Sequence, residues 1–161
     1  MRNMLKVNKK QLPKWQFDYL RKSFLPHVRS TGKRHRIYIA RKSRGLKNER
    51  ELLSRLEPLG FKKVYLEKLS FLEQVQLFAQ AEYVVGVHGA GFSNIVFCPQ
   101  DVVIIEIFNQ DWLSPTYWGI SQHLKQTHHC VLSDMGKLLG AEKKLFQSYV
   151  SIKKVLDLLS I

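Results

Sequence analysis

The sequence predicts an α/β domain built on a doubly wound parallel sheet. Three observations carry this. Short β-branched runs alternate with amphipathic stretches along the chain. Two of those runs, YVVGV at 83–87 and VVIIEIF at 102–108, are apolar almost throughout, the pattern of strands covered on both faces. A glycine-rich turn, HGAGFSN at 88–94, follows the first of them. Sheets of this kind bind ligands there, outside the carboxyl ends of their strands.

Each element has its own signal. Residues 12–25 place Leu12, Trp15, Phe17, Tyr19, Leu20, Phe24 and Leu25 as an apolar series that reads as a helix stopping before Pro26. HRIYIA at 35–40 is a strand by composition. A basic loop, 41–47, leads to Asn48, read as the N-cap of a helix over 49–57 with Glu49 and Glu51 in its first turn. Pro58-Leu59-Gly60 ends that helix, and KKVYLE at 62–67 is the second strand. Ser70 with Glu73 forms a capping box for a helix over 71–81. After the glycine turn, 92–97 reads as a short helix ending near Pro99. Residues 115–125 read as helix, 127–132 as strand, and 145–159 as a terminal amphipathic helix.

Composition narrows the function classes. The chain has 161 residues, 45% of them hydrophobic, which fits one packed domain rather than a disordered segment. No apolar run reaches the roughly 18 residues of a membrane span, and MRNMLKVNKK has no apolar core of a secretory signal. Cys98 and Cys130 make no disulfide scaffold and read as free thiols of a reducing compartment. The net charge is +13, and it is uneven: residues 1–63 hold 19 Lys and Arg against 4 acids, residues 64–161 hold 7 against 9. Such a field suits an anionic partner or a solvated basic face.

The loops at the strand ends carry the candidate chemistry. In 41–47, Arg41, Lys42, Arg44 and Lys47 accompany Ser43 and Gly45. Arg41 directly follows the strand and is the first candidate to meet a phosphate, since guanidinium offers a bidentate fork. In the glycine turn, Gly89, Ala90 and Gly91 let backbone N–H groups approach a ligand, and the following helix aims its positive end at the same place. His88 reads as a donor to a phosphate or sugar oxygen, or as a histidine that holds the loop. Asn94 reads as a ligand contact or a turn cap. Glu106 is the one acid inside an apolar strand; it reads as a ribose-binding carboxylate, or as the partner of an arginine or a backbone N–H. Trp112, Tyr117 and Trp118 read as base-stacking or core aromatics. The turn is neither G-x-G-x-x-G nor a Walker loop, and no G-x-S-x-G elbow exists. No D-x-D pair occurs, and His128-His129-Cys130 has no second ligand pair, so no metal site is expected.

Together these residues resemble glycosyltransferase family 61. The resemblance rests on Arg41 after its strand, Pro58-Leu59-Gly60-Phe61, Ser70-Phe71-Leu72-Glu73-Gln74, the run from Ala81 through the HGAG-x-[ST]-N block to Phe97, and Val103-Ile104-Ile105-Glu106-Ile107. It spans roughly 15–132 and is strongest over 70–107. The resemblance implies a GT-B-like fold of two Rossmann-like halves, of which this chain matches the carboxy-terminal, donor-binding one. It implies inverting transfer from a nucleotide-sugar donor to a glycan acceptor, without a metal or other cofactor. Arg41, His88, Gly89, Ala90, Gly91 and Asn94 would then hold the donor phosphates, and Glu106 the ribose. The chain's brevity implies a bacterial member of the capsular polysaccharide type, cytoplasmic or peripheral to the inner membrane face.

The expected division is a basic helical arm over 1–34, a nucleotide-sugar-binding domain over 35–140 and a terminal helix over 141–161. A general base is not identifiable, and a missing amino-terminal half or partner subunit would supply it. Two other functions compete with the transferase: a nucleotide-binding module or fragment without activity, and a binder of nucleic acid or anionic surfaces through the basic amino-terminal segment. Nucleic acid is the less expected partner, because the arm matches no nucleic-acid module.

Overall fold

The computed structural model describes residues 13–43, 45–109, 113–135 and 148–159. The predicted architecture is present. Strands β1 (His35–Ile39), β2 (Phe61–Val64), β3 (Ala81–Val87), β4 (Val103–Asn109) and β5 (Thr127–Met135) form a parallel sheet in the order β2-β1-β3-β4-β5, and β6 (Ser148–Tyr149) adds antiparallel to β5. Helices α1 (Lys14–Phe24), α2 (Glu49–Leu56), α3 (Phe71–Ala79), α4 (Thr116–Leu124) and α5 (Ile152–Asp157) cover it. This is a Rossmann-like α/β arrangement, consistent with a GT-B-like fold.

Alternation along the strands sorts the side chains into two cores. Ile37, Ile39, Val84 and Ile104 face α1, α3, α4 and a 3-10 helix, Ala90–Phe97, through Phe17, Val75, Phe78, Phe92 and Ile120. Tyr38, Val85, Ile105 and Ile107 face α2 and α5 through Leu52, Leu56, Val155 and Leu159. Both faces of the central strands are thus dry, which is why β3 and β4 read as continuous apolar runs. Helix α1 finds the surface it requires: Phe17 is buried, and Arg21 Nη1 donates to the carbonyls of Val96 and Cys98 at 2.7 and 2.8 Å. Those carbonyls close the 3-10 helix, so α1 satisfies groups that helix ends leave open.

Three expectations change. The second strand stops at Val64, and Leu66–Lys68 turns as a 3-10 segment, because the neighbouring β1 ends at Ile39 and offers no further ladder. Asn48 does not cap α2 with its side chain; its amide pairs instead with Val150, donating to the carbonyl at 2.9 Å and accepting from the N–H at 3.1 Å. The terminal helix is shorter than 145–159. Ser148–Tyr149 is strand, with Ser148 Oγ accepting from Ser133 Oγ at 2.8 Å, and Ser151 then caps α5. Residues 145–147, the boundary drawn at 140, Arg44 and Trp112 lie outside the described residues. Cys98 is buried and Cys130 exposed, both free; burial pushes each thiol up.

The capping box of α3 forms in full. Ser70 Oγ accepts from the Glu73 N–H at 3.4 Å, and Glu73 accepts from the Ser70 N–H at 2.7 Å. Hydrogen bonding of the Glu73 carboxylate to Ser70, from its side chain and then its backbone N–H, holds the carboxyl below its ordinary range. Replacing Ser70 with alanine should cost about 1 kcal/mol, read by urea denaturation at neutral pH. The Glu73 contribution has a depressed folded pKa, so it is present above the ordinary glutamate range and disappears as pH falls through the folded value. The stability gap between the wild type and Glu73→Ala should therefore close on acidification.

Candidate functional site

The sheet order puts a crevice at the carboxyl ends of β1 and β3. From β1 the chain crosses to β2 on one side, and from β3 to β4 on the other, so the connecting loops diverge there. A hollow of about 610 Å³ occupies this point. That lies within the range of roughly 300–1,000 Å³ usual for small-molecule sites. One wall is Arg41, Lys42 and Ser43 after β1; the opposite wall is Gly89, Ala90, Gly91, Ser93 and Asn94 after β3. Glu67 after β2 and Phe71 and Gln74 of α3 complete it.

The walls meet at a contact that only glycine permits. Arg41 Nη1 donates to the His88 carbonyl at 2.5 Å, and the guanidinium lies close beside Gly89. A Cβ on Gly89 would sit 2.5 Å from Arg41 Nη1 and 2.9 Å from its Cζ. Three residues earlier, in β3 itself, a Cβ on Gly86 would meet the Ile39 Cβ at 3.0 Å and the Ile39 carbonyl at 3.1 Å. Beyond the contact, the first N–H groups of the 3-10 helix have no acceptor within their own helix. Asn94, inside the 3-10 helix and buried, donates to Gln74 Oε1 at 2.9 Å and to the Gly91 carbonyl at 3.3 Å. Gln74 in turn donates to the Leu66 and Leu69 carbonyls at 3.0 and 3.1 Å, bolting the loop after β2 to α3.

The site residues named from the sequence therefore divide. Arg41, Gly89, Ala90, Gly91 and Asn94 line the hollow; the rings and carboxylates of His88 and Glu106 do not. The His88 imidazole stacks on Phe108 with centroids 4.7 Å apart and leans on Tyr117 at 5.3 Å. Its Nδ1 lies 2.5 Å from Glu106 Oε1. Glu106 is wholly buried, and its other oxygen lies 3.1 Å from His128 Nε2, whose Nδ1 is 2.7 Å from Ser121 Oγ. A carboxylate in an apolar strand needs partners, and here they are two imidazoles rather than an arginine or a backbone N–H. With Nδ1–H of His88 donated to the carboxylate, Nε2 is the ring nitrogen left for other contacts. Tyr117 shares the neighbourhood: burial raises its hydroxyl pKa, negative Glu106 adds to the rise, and Arg41 opposes it. Trp118 is largely exposed.

His128, Ser121, Gln74 and Glu67 were not singled out as site residues from sequence. In the sequence His128 stands out only as a metal-ligand candidate; its place on the strand beside Glu106 is the signal for its role here. Among the described residues no group of three or more His, Cys, Asp or Glu side chains is arranged to hold a metal ion. Among them, too, no helix is long and apolar enough to cross a membrane.

Three substitutions test this geometry. Gly86→Ala must move backbone and should cost about 1–3 kcal/mol in urea denaturation. Gly89→Ala needs only the end of a flexible side chain to move, so its melting temperature should stay close to the wild type. His128→Leu leaves one side of a buried carboxylate unpartnered and should cost about 3–5 kcal/mol.

Comparison with known proteins bears on the same residues. The profile of the family described as Glycosyltransferase 61 matches residues 3–105. The chain is 35% identical over 94 residues to an alpha-1,3-arabinosyltransferase, XAT3, of Oryza sativa subsp. japonica, a match that covers 54% of this chain and 15% of the relative. It is 32% identical over 77 residues to an EGF domain-specific O-linked N-acetylglucosamine transferase of Drosophila melanogaster, covering 45% of this chain and 15% of the relative. The matches span only about a seventh of the length of these curated relatives. Neither relative is bacterial, so the capsular expectation draws no support from them. The profile match takes in β1 to β3, the glycine turn and Arg41, and with it the chain belongs to glycosyltransferase family 61.

Proposed function

We propose that this chain holds the diphosphate of a nucleotide-sugar donor in the hollow between Arg41 and the glycine turn, as the donor-binding part of an inverting glycosyltransferase. The observation that carries the reading is the pairing of a cationic lip, Arg41 and Lys42, with a glycine-walled turn opening a helix, at the point where the connections from neighbouring strands diverge. Family membership supports it, and both relatives are named as glycosyltransferases.

The chemistry follows from the residues. An acceptor hydroxyl oxygen attacks the anomeric carbon, the bond from that carbon to the diphosphate oxygen breaks, and the acceptor proton passes to a base. Charge develops on the leaving diphosphate. Arg41, Lys42 and the free N–H groups of the turn would stabilise it, the work that a bound cation does in other sites. The base and acceptor contacts are assigned to protein beyond this hollow, either an amino-terminal half or a partner. The acceptor is proposed to be a glycan.

His88 and Glu106 take supporting roles in this reading. The buried Glu106 fixes the His88 ring, and the His88 carbonyl anchors Arg41. Arg41 therefore meets the phosphates from a fixed position, which lowers the ordering cost of binding.

Titration of the folded chain with UDP, GDP, ADP and CDP, followed calorimetrically, tests the reading. One of them should bind, and Arg41→Ala should weaken it about 10- to 100-fold, the loss expected for a charge-assisted contact. Arg41→Lys should not restore the affinity, because a point charge lacks the fork. A chelator or added divalent cation should leave the affinity unchanged. Failure of all four to bind at millimolar concentration rejects the reading.

A further inference from the structure

We propose that Glu67 is the carboxylate that grips the ribose hydroxyls of the donor nucleotide, an inference that rests on the nucleotide-sugar reading above. Glu106 is unsuited to that contact: it is fully buried, and both of its oxygens are engaged by imidazoles. Among the described residues that line the hollow, Glu67 is the one acid.

Its chemistry fits a diol. The nearest cation among the described residues, Lys42 Nζ, lies 3.6 Å from Glu67 Oε1, an ion pair across the lip but beyond hydrogen-bond length. No hydrogen bond to the Glu67 carboxylate occurs among the described residues, so both oxygens remain able to accept. Its side chain is 43% exposed, so it can turn toward a ligand without unpacking anything. A carboxylate beside a cationic lip repels a further phosphate and accepts from hydroxyls, and it can take two adjacent hydroxyls at once.

Its position fits the reach of one nucleotide. The glycine turn follows β3, Arg41 follows β1 and Glu67 follows β2, three neighbouring strands in the order β2-β1-β3. Adjacent strands are about 4.8 Å apart, so Glu67 stands roughly 10 Å along the sheet edge from the turn. A ligand with its diphosphate between Arg41 and Gly89 extends its nucleoside toward β2. In doubly wound sheets a ribose-binding acid stands at a strand end close to the phosphate loop; here Glu67 follows β2 and flanks the Arg41 side of the hollow, with β1 between it and the glycine turn.

The test compares each ribonucleoside diphosphate with its 2′-deoxy counterpart on the full chain, using wild type, Glu67→Ala and Glu67→Gln. The wild type should prefer the ribose form about tenfold or more, the effect of a hydrogen bond to a charged acceptor. Glu67→Ala should bring the ratio close to unity, while Glu67→Gln, which keeps a carbonyl acceptor, should fall between. Both variants should melt with the wild type, since the side chain is exposed. A ratio unmoved by Glu67→Ala, with binding intact, overturns the inference and leaves the reading of the hollow standing. If Glu67→Ala weakens a nucleotide-sugar but not the free nucleoside diphosphate, the carboxylate grips the transferred sugar and the inference is likewise overturned. Absence of any nucleotide binding by the wild type overturns both.

Discussion

At the carboxyl end of the sheet, β1 and the turn after β3 run so close that neither Gly86 nor Gly89 has room for a methyl group. The rest of the site follows from that approach. It lets the Arg41 guanidinium lie on the turn and reach the His88 carbonyl, which joins the two lips of the hollow. It also sets the turn against Ile39, so the strands of the crevice and the loops above them form one packed unit. A larger residue at either position would separate the cation from the backbone it is aimed beside.

The platform behind the turn is held from three directions. Arg21 of α1, Gln74 of α3 and Gln126, between α4 and β5, each bond to a residue of the 3-10 helix. Gln126 Nε2 donates to the Ile95 carbonyl at 3.0 Å, closing the far end of that helix. Elements far apart in sequence thus converge on eight residues whose own helical hydrogen bonding is weak. A 3-10 helix would otherwise fray; here its carbonyls are satisfied by side chains that are themselves packed. Supports of this kind hold a binding wall to its geometry.

Much of this was legible in the chain because it obeys local rules. The two buried runs, the alternation of elements and the Ser70–Glu73 box depend on neighbours a few residues away. What stayed hidden depends on distant partners. Glu106 was visible as an anomaly, but the imidazoles that neutralise its isolation come from the end of its neighbour β3 and from β5, and no local pattern pairs them. Asn48 has the composition of a cap, yet a residue 102 positions away competes for its amide and wins. Glu67 sat at the end of an expected strand; the early stop of β1 turns that strand's tail into a loop and brings the carboxylate to the lip. The residues that the resemblance names fall on two sides of one wall: Arg41, the glycines and Asn94 line the hollow, whereas His88 and Glu106 stand behind it.

The Asn48 clasp has an implication for biosynthesis. The basic loop lies between β1 and Asn48, and its trailing end is tied to the strand that precedes α5: Lys47 donates its N–H to the Ser148 carbonyl, and Asn48 pairs with Val150. A ribosome delivers those partners about a hundred residues after the loop itself. During that interval the nascent sheet can order β1 to β4, while one anchor of the loop after β1 is still inside the exit tunnel or not yet translated. The trailing end of that loop is therefore fixed later than the sheet that frames it.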